Sequence, residues 1–226
     1  MGSQRSPAVG GFYHIYNRGT EKREIFPSNT DRDRFVALLY LANGTVPVHL
    51  ENFRRAEQGL TLLKLALEMD RGKPLIDIAA YCLMPNHFHL LVRELSEGGT
   101  SKFMQKLTTG YTMYFNLKNE RTGALFQGTF KMRHADNDRY LKYLISYIHL
   151  NPVKLIDPKW KKAGLRSSRI ARRFLNAYSY SSFLDYVGEH RIENCIVNRE
   201  ALPYDFSPEE FRNEIFEWLE RGEENN

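Results

Sequence analysis

The stretch YCLMPNHFHLLVRE, residues 81–94, decides the fold because it joins two apolar segments through turn-forming residues. Pro85 and Asn86 are typical of a tight turn, since proline presets the backbone and asparagine readily hydrogen-bonds its own main chain. The flanking segments 74–84 and 87–94 are rich in aliphatic and aromatic residues, as strands usually are. We therefore predict a β-hairpin built from these two strands.

Two histidines lie one residue apart in the second strand of this hairpin. Side chains alternate across a strand, so His87 and His89 share one face while Phe88 points to the other. Imidazole is a common ligand for divalent metals near neutral pH, and this spacing suits two ligands of one ion. Histidines that are simply satisfied by hydrogen bonds remain an alternative, because the His-x-His pattern also arises by chance.

Further strands and helices flank the hairpin. The patterns predict a strand over 11–18, a helix over 29–43 capped by Asn29 or Thr30, a helix over 98–120, a strand over 123–135 and a helix over 136–151. The order β-α-β-β-α-β-α is that of an α+β, ferredoxin-like or RRM-like split βαβ fold. We expect an antiparallel sheet with helices on one face, followed by a further, tyrosine-bearing helix.

The chain divides into two predicted regions. Residues 11–155 are predicted to form the main domain, with an insertion at 44–73 that contains a helix near 53–69. Residues 156–226 form an extension, with a basic loop followed by short helical segments and an acidic last helix. The predicted helices of the extension span 181–187 and 208–221.

Charge is distributed unevenly along the chain. The net charge is only +5, but residues 101–174 hold 16 Lys and Arg against 4 Asp and Glu. Residues 175–226 hold 4 against 12. A basic middle region is typical of proteins that bind a phosphate backbone, although a solvated basic surface is the alternative.

Several protein classes are not expected from the composition. No segment approaches the roughly 18 apolar residues of a membrane span, so we expect no membrane partner. The start, MGSQRSPAVGGF, lacks the apolar centre of a signal peptide, and the two cysteines, Cys82 and Cys195, cannot form a disulfide framework. A cytoplasmic location is therefore predicted.

A second stretch, YLKYLISYIHLNPVK at 140–154, places further polar groups on one helix face. Tyr143, Tyr147 and Asn151 follow each other at intervals of four residues and so lie along one side of a helix. The expected apolar stripe of this helix consists of Leu141, Leu144, Ile145 and Ile148. An amide one turn after a phenol can bind the same metal ion that the phenol faces. A core role for Tyr143 is equally compatible with the pattern.

These motifs together carry a family likeness. PNHFHLLV (85–92) followed by YIHLNPVK (147–154) resembles the single-tyrosine HUH transposases of bacterial insertion sequences, most closely their REP-associated branch. Further matches are HIYNRGTEKREIF (14–26), SKFMQKLTTGYTMYFN (101–116) and TGALFQGTFKMRHADNDRYLKYL (122–144). The likeness extends over about 11–155 in the same order, apart from 44–73.

The resemblance implies a specific chemistry. Such enzymes cut and rejoin single-stranded DNA beside hairpins, and their tyrosine becomes linked to the 5′ phosphate at the break. Matched residue by residue, Tyr147 is the nucleophile. His87 and His89 are ligands of Mg²⁺ or Mn²⁺, and Asn151 occupies the third ligand position, where some relatives carry glutamine. Homodimers with the tyrosine supplied in trans occur in this family, so a homodimer is left open.

The residues themselves agree with this chemistry. A phenol with a pKa near 10 is a poor nucleophile at neutral pH and needs a nearby cation or base. Two nitrogen ligands make Mn²⁺ at least as suitable as Mg²⁺. Tyr111 and Tyr114 remain rival nucleophiles, but their motif matches the preceding helix. His149 points elsewhere on the tyrosine helix and is interpreted as structural or DNA-contacting.

Basic residues close to these motifs are predicted to contact DNA phosphates. They are Lys102, Lys106, Lys131, Arg133, Lys142, Lys154, Lys161, Lys162, Arg172 and Arg173. The last four belong to the segment KWKKAGLRSSRIARRF (159–174), which also offers Trp160 and Phe174 for base stacking. This segment departs from the shorter relatives, and a solvated loop is its alternative role.

The predicted function is that of a metal-dependent single-stranded DNA endonuclease and strand transferase acting at hairpins. One alternative is an RRM-like nucleic-acid-binding protein without catalysis, which suits the basic and aromatic residues but leaves the His-x-His and Tyr147 constellation unexplained. Another is a replication-initiator-type HUH nuclease, which shares the chemistry but usually belongs to larger proteins.

Overall fold

The computed structural model describes residues 7–47 and 61–221. Its elements are β1 (Phe12–Arg18), α1 (Asn29–Ala42), α2 (Leu62–Leu67), β2 (Ile76–Met84), β3 (His87–Glu94), α3 (Gly99–Lys118), β4 (Lys131–His134), α4 (Asp138–Leu150), α5 (Trp160–Ala163), α6 (Ser168–Leu175), α7 (Phe183–Tyr186) and α8 (Pro208–Arg221). A 3-10 turn, Asn151–Leu155, follows α4 directly. Within these described residues, no helix combines the length and the hydrophobicity needed to span a lipid bilayer.

Four strands form one antiparallel sheet in the order β2-β3-β1-β4. This order is that of the ferredoxin-like split βαβ fold, and it confirms the predicted fold class. The β2–β3 hairpin is also confirmed, with Met84 paired to His87 across a turn of Pro85 and Asn86. The order places β1 next to β3, so that residues far apart in sequence become neighbours on the sheet.

The two faces of β3 are packed differently, as the alternation of its residues requires. Phe88, Leu90 and Val92 belong to one hydrophobic cluster with α1 and α3. Leu91 belongs to a second cluster, in which α4 packs against the opposite face of the sheet. His87 and His89 have the same strand parity as Leu91 and therefore lie on the α4 face.

The C-terminal extension packs against the main domain through this second cluster. Trp160, Phe183 and Phe211 are buried in it together with Ile148 of α4. The Tyr186 hydroxyl donates a hydrogen bond to the Ala79 carbonyl of β2, at 2.6 Å. The predicted boundary near 155 therefore falls within a continuous hydrophobic cluster, and the segment 159–174 contains α5 and α6 rather than loop alone.

Several predicted boundaries differ from the structure. The strand predicted over 123–135 is confined to Lys131–His134, because Gly123 and Gly128 adopt left-handed backbone angles, with φ of 83° and 71°, that interrupt extended pairing. The α1 cap is Ser28, whose hydroxyl accepts from the Asp31 amide at 3.3 Å. The helix predicted near 53–69 is described only as Leu62–Leu67, and residues 48–60 lie outside the described residues.

Candidate active site

Helix α4 is held on the sheet by the predicted apolar stripe. Its four members are at most 3% exposed: Leu141, Leu144, Ile145 and Ile148. Asn137 caps the helix by accepting a hydrogen bond from the Tyr140 amide at 2.8 Å. Because the stripe faces the sheet beside β3, the neighbouring face of the helix carries Tyr143 and Tyr147 towards the histidines.

The structure brings Tyr147 and the two histidines together within one chain. The ring centroids of Tyr147 and His89 are 5.4 Å apart, with the rings edge to face. Those of His87 and His89 are 5.0 Å apart. All three side chains line one cavity of about 740 Å³. The convergence that the sequence motifs predicted is therefore present without a second copy of the chain.

Each histidine has a partner at its Nδ1 atom. Nδ1 of His87 lies 2.6 Å from Oδ1 of Asn86, and Nδ1 of His89 lies 2.9 Å from Nε2 of His14. Burial lowers the pKa of His87 to about 4 and holds the pKa of His89 well below its usual value, since a charged ring is poorly solvated there. Both rings are consequently neutral near pH 7, as metal ligands must be.

His14 is a residue of the site that sequence reasoning missed. It lies on β1, and its ring stacks on that of His89 with centroids 5.1 Å apart. The pairing of Tyr16 with His89 and of His14 with Leu91 makes His14 a diagonal neighbour of His89 on one face. The signal was available in the alternating strand 11–18, but using it required the β1–β3 pairing.

The donor set fits a metal ion that takes most of its ligands from outside the protein. Among the described residues, no group of three or more His, Cys, Asp or Glu side chains is placed to hold a metal ion. His87 and His89 can supply two nitrogens, and the remaining positions would go to oxygens of the substrate, of water or of a side-chain amide. This set suits Mn²⁺ or Mg²⁺ better than it suits structural Zn²⁺, which is held by four protein ligands.

Asn151 lies next to the site but does not line the cavity. Its side chain is fully buried, and its amide nitrogen donates to the Tyr147 carbonyl at 2.8 Å. Its Oδ1 atom accepts a hydrogen bond from Nζ of Lys154 at 3.1 Å. The predicted ligand role of Asn151 therefore requires its oxygen to be released from Lys154, whereas the exposed Gln127 already lines the cavity.

The rival nucleophiles lie on the other face of the sheet. Tyr111 is buried in the cluster of α1 and α3, where its hydroxyl donates to the Ile25 carbonyl. The Tyr114 hydroxyl donates to Oδ1 of Asp31 at 3.0 Å. Burial raises the pKa of both phenols above its ordinary value. Neither side chain faces His87 or His89.

His149 is a structural residue of the second cluster. It is fully buried, and its Nε2 atom lies 2.7 Å from the Ser182 hydroxyl. Its ring contacts Phe211, with centroids 5.3 Å apart. Of the two predicted roles, structural or DNA-contacting, this burial favours the structural one.

Some of the predicted DNA-binding cations surround the cavity. Lys131, Arg133 and Lys154 line it. Lys161 of α5 lies over the Tyr147 ring, with Nζ 4.6 Å from the centroid, and Nζ of Lys154 lies 5.3 Å from the same centroid. The extension thus contributes a positive charge directly beside the predicted nucleophile.

The remaining cations lie elsewhere. Lys106 donates to the carbonyls of Gly44 and Val46 and so braces the loop after α1. Arg172 forms an ion pair with Glu220 of α8. Nζ of Lys142 lies 4.9 Å from the Tyr204 ring centroid. Exposed positions outside the cavity lining are occupied by Lys102, Lys162 and Arg173.

Aromatic rings complete the cavity wall. Tyr16, Tyr140 and Tyr143 all line it. Tyr140 and Tyr143 lie nearly parallel, with centroids 6.1 Å apart, and the Arg133 guanidinium lies 4.8 Å from the Tyr140 centroid. A cavity wall of rings and cations can bind both the bases and the phosphates of an unpaired strand.

This chain resembles known proteins in part of its sequence and in its fold. Residues 63–151 match the family model "Transposase IS200 like". A solved structure described as "Structure of the REP associates tyrosine transposase bound to a REP hairpin" is similar over 92% of this chain and 99% of that chain, with a TM-score of 0.51 and 14% identity. No curated protein matches the sequence. Residues 63–151, which contain both histidines and Tyr147, are thus similar to the IS200-like transposases, the family that the motifs indicated.

Proposed function

We propose that this protein is a metal-dependent single-stranded DNA endonuclease and strand transferase that acts beside DNA hairpins through a covalent 5′-phosphotyrosine at Tyr147. The observation that carries the proposal is the edge-to-face contact of Tyr147 and His89 in a cavity lined by cations and aromatic rings. The IS200-like family match supports it, as does the fold shared with a transposase whose structure holds a REP hairpin.

The reaction exchanges one phosphate ester for another. The Tyr147 Oη atom forms a bond to the scissile phosphorus as its proton passes to solvent, and the bond from phosphorus to the 3′ oxygen breaks. The leaving 3′ oxygen takes up a proton and becomes a hydroxyl. A 3′-hydroxyl attacking the phosphotyrosine reverses these steps and rejoins DNA. Because the phosphotyrosine ester replaces the broken DNA ester, the reaction consumes no nucleotide. The sequence accordingly contains no P-loop motif.

The metal would be held by Nε2 of His87 and of His89, since both Nδ1 atoms are engaged with Asn86 and His14. Asn151 is the third proposed ligand, provided that Lys154 releases its oxygen. When bound, such an ion polarises the scissile phosphate and stabilises its developing charge. The two nitrogens make Mn²⁺ at least as suitable as Mg²⁺.

The chain's own residues would bind and orient the strand. Lys131 and Arg133 are exposed at the cavity and can pair with phosphates on either side of the break. Tyr16, Tyr140 and Tyr143 offer ring faces to bases, which only an unpaired strand can present. Since Tyr147 meets His89 within one chain, the proposed reaction requires no tyrosine from a partner.

The decisive experiment uses the full chain, Mn²⁺ and oligonucleotides that carry the hairpins flanking its own gene. We expect a denaturant-resistant protein–DNA adduct that carries a 3′-end label and not a 5′-end label, because tyrosine retains the 5′ phosphate. Tyr147→Phe should abolish the adduct, while the matched control Tyr143→Phe should retain it.

Two results would contradict the proposal. An undiminished adduct with Tyr147→Phe would show that another residue is the nucleophile. DNA binding that is unaffected by EDTA and by His87→Ala, with no adduct under any metal condition, would favour the non-catalytic RRM-like alternative.

A further inference from the structure

The contact between His14 and His89 has consequences that depend on where its proton lies. The Nε2 atom of His14 and the Nδ1 atom of His89 are 2.9 Å apart, and the two side chains are only 6% and 5% exposed. A hydrogen bond between two ring nitrogens contains one proton, so that one ring donates and the other accepts. The heavy-atom positions allow both arrangements.

The two arrangements have opposite effects on metal binding. If His89 donates from Nδ1, its Nε2 atom carries a lone pair and can bind a metal ion. If His14 donates instead, the neutral His89 ring must carry its proton on Nε2, and that nitrogen cannot act as a ligand. The direction of this one hydrogen bond therefore decides whether His89 is a competent ligand.

The neighbouring histidine indicates which arrangement the site requires. The partner of His87 at Nδ1 is Oδ1 of Asn86, at 2.6 Å, and an amide oxygen can only accept. His87 must therefore donate from Nδ1 and carry its lone pair on Nε2. A shared metal ion requires the same arrangement at His89.

The fold holds His14 in place to accept this proton. Pairing of β1 with β3 sets Tyr16 opposite His89 and His14 opposite Leu91, and the rings of His14 and His89 stack with an angle of 25° between their planes. Both side chains are at most 6% exposed, so water is a poor substitute for His14 as the acceptor of this proton. Metal-binding histidines commonly have their second nitrogen fixed in this way.

We propose that His14 is a positioning residue whose Nε2 atom accepts the Nδ1 proton of His89 and thereby keeps the lone pair of His89 on Nε2. This inference rests on the metal site of the proposed function and extends it to a residue on a different strand. His14 is not itself a ligand in this arrangement, because its Nε2 atom is occupied by the proton of His89.

The first test measures the tautomers directly in the metal-free full chain. Long-range ¹H–¹⁵N correlation spectra of ¹⁵N-histidine-labelled protein distinguish protonated from lone-pair ring nitrogens. We expect Nε2 of His89 and Nε2 of His14 both to be lone-pair nitrogens. His14→Phe keeps a ring of similar shape without an acceptor, and it should change the His89 signals. His14→Gln should restore them, because its amide oxygen can accept the proton.

The second test measures Mn²⁺ affinity by electron paramagnetic resonance, with thermal unfolding in EDTA as the stability control. His14→Phe should weaken binding by about 10- to 100-fold, and His14→Gln should recover most of the loss. Electron spin-echo spectra should show two coordinated imidazoles in the wild-type protein. If His14→Phe fails to fold, the wild-type spectra and His14→Gln decide the question.

The outcomes separate the inference from the proposed function. A protonated Nε2 on His89 in the wild-type protein, or three coordinated imidazoles, would overturn the role of His14. So would Mn²⁺ binding that depends on His89 but is unchanged in His14→Phe. Mn²⁺ binding that is unaffected by His89→Ala would instead refute the metal site of the proposed function, whatever the tautomers are.

Discussion

The ring of Tyr147 on α4 lies edge-on to the ring of His89 on β3, with 5.4 Å between the centroids. The contact joins a helix and a strand that are distant in sequence, and it forms without a second chain. Around it lie two ammonium groups, those of Lys154 and Lys161, within 5.3 Å of the Tyr147 ring centroid.

Replacing Lys161 should slow DNA cleavage more than it weakens DNA binding. Its ammonium lies 4.6 Å from the Tyr147 ring centroid, where it would favour the negative charge that the phenol acquires in the proposed attack. We expect Lys161→Ala to lower the single-turnover cleavage rate by about 10-fold, equivalent to about 1.4 kcal/mol of barrier. The control is Lys162→Ala, at the exposed neighbouring position. Equal rates for the two variants would show that Lys161 has no such role.

A salt titration of DNA affinity should distinguish the predicted cations that contact DNA from those that stabilise the fold. Lys131→Ala and Arg133→Ala remove charges that line the cavity, so each should reduce the slope of log affinity against log salt by about 0.7 for single-stranded DNA. Lys106→Met should leave the slope unchanged and lower the free energy of unfolding, because this ammonium binds the carbonyls of Gly44 and Val46. A reduced slope for Lys106→Met would instead support the predicted contact of Lys106 with DNA.

The folded protein should lose stability in acid partly through His149. Burial lowers the pKa of His149 to about 3 from 6.5, so the folded state favours the neutral ring. The contribution of this neutral ring to the free energy of unfolding is complete above pH 6.5. It declines by about 1.4 kcal/mol per pH unit as the pH falls towards 3. Urea unfolding in EDTA between pH 7.5 and 4.5 should show a shallower decline for His149→Gln than for the wild-type protein. Parallel declines would contradict this assignment.

The extension should behave as part of the same folding unit as α4. Phe211 of α8 is 1% exposed. Its ring centroid lies 4.4 Å from the ring centroid of Tyr186 and 5.3 Å from that of His149. Phe211→Ala should therefore lower the free energy of unfolding by about 3–5 kcal/mol. The control Ile170→Ala changes a side chain that is 61% exposed and should cost less than about 0.5 kcal/mol. A loss below about 1 kcal/mol for Phe211→Ala would indicate that the extension folds independently.

Much of the fold follows from local patterns in the sequence. Pro85 and Asn86 between two apolar segments predicted the hairpin, and the alternation of its residues placed His87 and His89 together on one face. The helical periodicity of 140–154 predicted which side of α4 is buried. Such patterns are reliable because a strand or helix places its side chains at regular intervals whatever surrounds it.

Element boundaries were less predictable. The strand expected over 123–135 shrinks to Lys131–His134, because glycines at 123 and 128 take up left-handed backbone angles that no hydrophobic pattern reveals. The α1 cap is Ser28 and not the predicted Asn29 or Thr30. The Ser28 hydroxyl accepts from the Asp31 amide, and the Asp31 carboxylate accepts from the Ser28 amide. Termini depend on single hydrogen bonds rather than on a repeated pattern.

The sequence by itself predicted the strands and main helices of residues 11–155, two imidazoles on one strand face, and a tyrosine on the helix face beside the apolar stripe. Only the tertiary structure decided that His14 contacts His89, that Lys161 lies over Tyr147, and that the oxygen of Asn151 binds Lys154. The physical reason is that these contacts depend on the register between strands and on the path of the extension. Both are set by packing between distant segments, which local periodicity does not contain.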